Sequence, residues 1–341
     1  MSARRSVGAG LALLLLALAA CDRRTTTPAP APGGDSAAES SAPPSLAGSS
    51  AAAPTASAAM PDGEARAAAR DECGPRVAKI TRAKSIGHTS VVYKIELEGG
   101  GTYAWKVNAT KVKDRWRGEV AAYRLGRALG IPNVPLACPR SFPRDEVLAL
   151  LGRPAFDELI ASPGDAIEGA LIPWIPSLSF LALEKDPLRS EARAWLRDRA
   201  KPVPAEKSEL AAQISTLVVF DAVAGHWDRY SGGNVGLDAT GKQVLFIDND
   251  STFMSQPPAE RMRENMDALA RTERFSRSLY SALRALDGDA PLRAALGHGL
   301  DGEPLLLPPV VTLVRERLSA VLATIAKKIA ERSEADVLVF P

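Results

Sequence analysis

From residue 77 to residue 108 apolar and polar positions follow a two-residue rhythm. Val77 and Ile80 lead into a turn at Gly87-His-Thr-Ser90, and residues 91–97 alternate after their first positions. Glu98-Gly-Gly-Gly101 marks a tight reversal, and residues 102–107 return as a third strand. The rhythm then changes. Val120, Ala121, Leu125, Ala128 and Leu129 predict a helix over residues 115–129, stopped by Gly130 with Pro132 just beyond. Three antiparallel strands and one helix make a small α+β lobe. Leu171-Ile-Pro-Trp-Ile-Pro176 reads as a short stiff connector.

Beyond the connector the pattern is helical. Residues 209–224 are apolar on most sides, which predicts a core helix. Val314, Leu318, Val321, Leu322, Ile325 and Ile329 fall on one face of a last long helix, with Arg315, Arg317, Lys327 and Lys328 outside it. Core packing accounts for that stripe better than a membrane does. No internal repeat is present.

The first sixty residues have neither rhythm. Arg4 and Arg5 precede an unbroken Leu/Ala run over residues 11–20, too short to span a bilayer. It ends Leu18-Ala-Ala-Cys21, which resembles a bacterial lipobox and implies cleavage before Cys21 and lipidation of that residue. An ordinary signal peptide that happens to contain a cysteine is the plainer alternative. Residues 25–60 are almost entirely Ala, Pro, Ser, Gly and Thr, too poor in apolar surface to offset chain entropy. The expectation is a signal over 1–20 and a disordered tether over 21–75. The folded part would then sit in the cell envelope, lipid-anchored to a bacterial membrane on its periplasmic or outer face.

Charge is nearly balanced, 42 Lys+Arg against 40 Asp+Glu, which argues against a nucleic-acid partner. The three histidines and three cysteines are scattered, without a CxxC pair or an HExxH helix. Zinc, iron–sulfur and disulfide-dense folds are thereby disfavoured, and a bound metal would have oxygen ligands, as Mg²⁺ or Mn²⁺ does. In an exported chain Cys73 and Cys138 have the option of a disulfide; two separate buried cysteines are the alternative.

The chemistry concentrates in two segments. Gly225-His-Trp-Asp-Arg-Tyr-Ser-Gly-Gly-Asn234 directly follows the predicted core helix, and the apolar run 244–247 ends in Asp248-Asn-Asp250. A hairpin through Asp238-Ala-Thr-Gly241 brings Asp228 and Asn234 to the strand end that carries Asp248. Phosphoryl transfer needs one carboxylate for the proton of the attacking hydroxyl, and a carboxylate with an amide oxygen for the metal. Asp228 fits the first role, Asp248 and Asn234 the second. A capping Asp in a Gly-rich loop is the plainer reading of the loop alone. Upstream, Lys106 ends the third strand and Glu119 begins the next helix. Each alone would pass for a surface charge; in this chain order they complete a phosphate-gripping Lys–Glu pair. Gly87 and its neighbours His88, Thr89 and Ser90 could present N–H groups and hydroxyls to phosphate, although a plain turn fits nearly as well. His226 is expected to brace the loop. Arg229 and Tyr230 either shape the loop or meet substrate. Lys111, Lys113, Arg115 and Arg117 form a basic cluster that reads first as a solvated face.

The stretch from Glu119 to Pro135, with Gly225-His-Trp-Asp-Arg229 and Phe246-Ile-Asp-Asn249, resembles the secretory-pathway kinases of the Golgi casein kinase and four-jointed group. It is similar, more loosely, to type II phosphatidylinositol 4-kinases. The resemblance covers residues 77–341. It implies an α+β, two-lobed protein kinase-like fold, with an N-lobe and connector over 76–175 and a C-lobe over 176–341. It also implies ATP with Mg²⁺ or Mn²⁺, anchored by Lys106 and Glu119, with Asp228 as catalytic carboxylate and Asp248 as main metal ligand. Asp228 and Asn234 stand one residue further apart than the usual Asp-x4-Asn, an excess that Gly232-Gly233 can absorb as a bulge. The expectation is an exported kinase acting on a hydroxyl of a protein, glycan or lipid. A nucleotide-binding scaffold without chemistry, and a nucleotidyl or small-molecule phosphotransferase, are the alternatives.

Overall fold

The computed structural model describes residues 72–73, 78–87 and 90–341. The signal, Cys21, the tether apart from Glu72 and Cys73, Val77, His88 and Thr89 lie outside the described residues.

Strands β1 (Ile80–Ser85), β2 (Val92–Leu97) and β3 (Thr102–Val107) form at the predicted places and pair antiparallel. The sheet is larger than the sequence pattern predicts. Helix α1 (Trp116–Ala128) is followed by β4 (Cys138–Pro143), short helices α2 (Arg144–Leu151) and α3 (Arg153–Phe156), and β5 (Ala166–Pro173). The order is β1-β2-β3-β5-β4. Leu171, Ile172 and Pro173 therefore end a strand, and only the residues after them act as the connector: Leu171 pairs with Trp105 on one side and Cys138 on the other. Pro139 and Pro143 hide β4 from a pattern search, yet both are tolerated because β4 lies at the sheet edge.

Alternation splits the residues of β3. Trp105 is fully buried in the sheet's own apolar core, where Phe142 meets it edge-on at a centroid distance of 5.0 Å. Lys106, next in sequence, points to the opposite face. The core around Trp105 also holds Ile95, Ile167 and Leu171.

A second, larger core gathers the apolar face of α1 with the helical region. Here β6 (Ser179–Phe180) and α4 (Leu188–Arg197) precede α5 (Ser208–Ala224), which is buried nearly all round, as its sequence predicts. Each side chain such as Leu217 or Phe220, fully covered, contributes roughly 1.5–3 kcal/mol. A β7 (Val235–Leu237) and β8 (Val244–Phe246) hairpin follows through the Asp238–Gly241 turn, whose Asp238 N–H bonds Gln243. Helices α6 (Ala259–Arg271), α7 (Arg277–Ala285), α8 (Asp289–Leu296), α9 (Pro308–Glu331) and α10 (Glu334–Val337) complete the chain. The stripe on α9 is core: Val314, Leu318, Val321 and Ile325 are buried. No helix among the described residues is long and apolar enough to cross a membrane.

Cys73 and Cys138 form a disulfide, with Cα atoms 6.1 Å apart. Of the two alternatives open to the sequence, the structure takes the bridge.

Candidate active site

Lys106 is the centre of the site. Its Nζ lies 2.5 Å from Glu119 Oε1, donates to Asp248 Oδ1, and stands 3.6 Å from Asp250 Oδ2. Strand β3, helix α1 and the segment after β8 thus meet at one ammonium. Burial alone would lower its pKa, but the three carboxylates outweigh burial and hold it above its ordinary value. Burial pushes Glu119 up, against the pull of Lys106.

Glu119 can reach this point because α1 packs closely on the turn after β8. A Cβ on Gly118 would lie 2.9 Å from Asn249 O and 3.2 Å from Thr252 Oγ1, so only glycine allows this approach. The loop after α1 is fixed too. Buried Asn133 donates to Gln213 on α5 and to Val244 O, while Phe246 N–H donates to Asn133 O. The Ile-Pro-Asn-Val-Pro stretch that contributes to the sequence resemblance is thus a strut between α1, α5 and β8.

The second half of the site begins where Gly225 ends α5 in a left-handed conformation, φ +73°. His226, fully buried, accepts the Asp228 N–H on Nδ1 at 3.2 Å, which leaves Nε2–H to donate to Asp248 O at 3.1 Å. It braces the loop, as expected from sequence. Asp228 itself is half-buried, and its carboxylate takes no hydrogen bond among the described residues. Asn234 Nδ2 donates to Asp228 O at 2.7 Å, and Oδ1 takes no donor among the described residues. Gly232 and Gly233, both at positive φ, carry the extra residue of this loop.

Arg229 resolves its two readings in favour of structure. Its buried guanidinium bonds Asp221 through both carboxylate oxygens, and also Asn234 O, Ile247 O and Asn249 Oδ1. It ties α5, the loop and the end of β8 into one unit. Tyr230 is exposed.

Two partners escape the sequence reading. Asp250 is buried, accepts from Ser90 Oγ at 2.6 Å, and is bridged by Arg115 Nη2 at 2.6 Å. Arg115 therefore leaves the basic cluster and enters the site, whereas Lys111 pairs on the surface with Glu158. The Ser90 hydroxyl is committed to Asp250 rather than offered to phosphate. Gly87 N–H bonds Val92 O, and a Cβ there would sit 1.9 Å from Ser90 O, so the turn is glycine-specific. Asp250 is lowered below the usual carboxylate range, since Lys106, Arg115 and Ser90 together outweigh its burial. The cue available in the sequence was the second acid of Asp248-Asn-Asp250.

Three carboxylates here face two cations, an excess of negative charge suited to a divalent ion. Asp248 and the open Oδ1 of Asn234 are hard oxygen donors of the kind Mg²⁺ and Mn²⁺ accept. No group of three His, Cys, Asp or Glu side chains among the described residues makes an all-protein cage, so a metal here would share its ligands with phosphate oxygens or water.

No protein-family model matches the chain. In sequence it is similar to glycosaminoglycan xylosylkinase of Homo sapiens, 25% identical over 62% of this chain and 60% of that one, and of Danio rerio, 22% identical over 66% and 63%. The chain thus spans about three fifths of the length of these relatives. In structure it is similar to a Golgi casein kinase (TM-score 0.58, 13% identity, 77% of this chain and 76% of that one). It is also similar to a Golgi casein kinase with Mn and ADP bound (TM-score 0.56, 14% identity, the same coverage), and to hydra Fam20 with sugar (TM-score 0.50, 18% identity, 77% and 89%). The chain has the α+β, two-lobed protein kinase-like fold of the Golgi casein kinase-like atypical kinases.

Proposed function

We propose that this protein is a metal-dependent kinase that transfers the γ-phosphoryl group of ATP to a hydroxyl of a glycan, protein or lipid. The observation that carries the reading is a continuous linkage. Lys106 joins Glu119 to the Asp248 side chain, and His226 joins the Asp248 backbone to that of Asp228. Parts that phosphoryl transfer needs, contributed by distant segments, are held in register. The relatives named for kinase activity, and the solved kinase with Mn and ADP, support the same reading.

In this reading Lys106, oriented by Glu119, neutralises nucleotide phosphates. Asp248 and Asn234 Oδ1 would hold Mg²⁺ or Mn²⁺, which would supply charge stabilisation to the transferring phosphoryl group. The turn at Gly87 covers the nucleotide. Asp228 orients the acceptor hydroxyl and takes its proton as the oxygen bonds the γ-phosphorus. The bond from that phosphorus to the bridging oxygen breaks, and ADP leaves. The Ala/Leu run ending at Cys21 supports an exported form, lipid-anchored at that cysteine, with residues 76–175 and 176–341 as the two lobes.

The test uses full-length protein with γ-labelled or α-labelled ATP, Mn²⁺, and fractions of exported proteins, glycans and lipids. The expected result is γ label on an acceptor, absent with α label, and a loss of about 10²–10⁴-fold in Asp228→Ala. Equal labelling by Asp228→Ala would overturn the assignment. Transfer of α label would replace it with nucleotidyl transfer.

A further inference from the structure

A cavity of about 540 Å³ opens beside Asp228, between the facing sides of α4 and α6. Its floor is apolar, with Ile214 and Val218 from α5, and its mouth carries Trp227, Asp228 and Tyr230. Its lining carries five arginines against three carboxylates, Glu184, Glu264 and Asp228, a net positive balance. On α4, Arg189, Arg193 and Arg197 recur every four residues and so share one face. On α6, Arg261 and Arg271 line the opposite side.

Two of these arginines are paired: Arg189 with Asp186 at 2.5 Å, and Arg261 with Glu264 at 2.8 Å. Arg193, Arg197 and Arg271 have no carboxylate partner among the described residues. Burial and then the positive charges of Arg271 and Arg193 lower the Arg197 guanidinium below its ordinary value. Like charges gathered in a concave, partly apolar site repel one another and focus a positive potential at its mouth. An anion inside would offset that repulsion, and guanidinium groups bind carboxylate and phosphate in two-point geometry.

Resting on the kinase reading above, we propose that this cavity is the acceptor subsite and that the acceptor is an anionic saccharide, a sugar bearing a carboxylate or phosphate near the reacting hydroxyl. A compact ligand suits the site better than a peptide. Helices α4, α5 and α6 use their backbone groups internally and offer no strand edge to an extended chain. The exposed ring of Tyr230 and the Trp227 indole offer flat apolar faces to a pyranose, while Arg193, Arg197 and Arg271 take its charge. Asp228 at the lip then meets a hydroxyl rather than the anion, which it would repel.

The test is calorimetric titration of the full chain, without nucleotide, against four probes. They are a glucuronate-terminated disaccharide, its neutral glucose-terminated counterpart, glucose 6-phosphate, and a glutamate-rich peptide. The expected result is at least tenfold tighter binding of the glucuronate or phosphate sugar than of the neutral one, the stronger of the two naming the anion. Arg193→Gln/Arg197→Gln, which changes two incompletely buried side chains, should erase that preference. As a check independent of any variant, raising salt from about 0.1 M to about 1 M, which shortens the screening length from roughly 10 Å to roughly 3 Å, should weaken only the charged probes. Equal affinity for charged and neutral sugars, or tighter binding of the peptide than of either anionic sugar, would overturn the proposal. Binding of Mn·ADP to the wild-type chain, measured separately, reports on the kinase reading, so the two fail independently.

Discussion

The imidazole of His226 donates from Nε2 to the backbone carbonyl of Asp248, which places the single ring proton on Nε2. Its Nδ1 already accepts the Asp228 N–H, so a second ring proton would face a donor. Burial first, and then Arg229, Lys106 and Arg115, hold its pKa well below the ordinary 6.5. The folded ring refuses a proton that the unfolded chain accepts below that value. The His226 contribution is therefore fully present above about pH 6.5 and is lost as pH falls below it, by at most about 1.4 kcal/mol per pH unit. The unfolding midpoint should drop between pH 7.5 and 5.5, and drop less in His226→Gln. An equal drop in both would refute this account.

The two ends of the buried ion pair should respond unequally. Lys106→Met leaves Glu119 buried without a cation, at a cost of about 3–5 kcal/mol. Glu119→Gln leaves Lys106 with Asp248 and Asp250 and should cost about 1 kcal/mol, while still lowering nucleotide affinity. Urea midpoints read against Mn·ADP titrations separate stability from binding.

Arg229→Lys keeps the charge and loses the fork. One ammonium cannot reach Asp221, Asn234 O, Ile247 O and Asn249 Oδ1 together, so a loss of about 2 kcal/mol or more is expected. Activity should fall with it, since the same groups set the loop that carries Asp228. A variant as stable as wild type would show that these bonds are replaceable.

Gly118→Ala sets two effects against each other. Alanine gains about 1 kcal/mol within a helix. Its methyl also enters the 2.9 Å approach to Asn249 O, and overpacking of that kind costs about 1–3 kcal/mol. Net destabilisation is expected, together with weaker Mn·ADP binding as α1 moves Glu119 away from Lys106. A more stable variant with unchanged binding would show that the packing is loose.

The residues legible in the sequence share a property. Lys106, Glu119, Asp228 and Asp248 each stand at the end or start of an element whose pattern is strong, so their placement follows from the pattern. Asp250 and Arg115 do not: they are 135 residues apart in sequence, and neither lies on a periodic face that announces a partner. Arg229 reads as a loop charge because nothing local marks the buried Asp221 that receives it. Strand β4 is masked by its prolines, and β5 by the proline-rich stretch into which it runs. The arginine spacing on α4 was open to inspection, but four-residue charge spacing is common on solvated helices. Only the opposing face of α6 gives it meaning.

The bond between Cys73 and Cys138 has a mechanical consequence. It closes a covalent loop that contains β1, β2, β3 and α1, and hence both Lys106 and Glu119. Tension drawn along the chain from the N-terminal side crosses at Cys73 directly into β4. The covalent path thereby bypasses the backbone of β1, β2, β3 and α1, and with it Lys106 and Glu119.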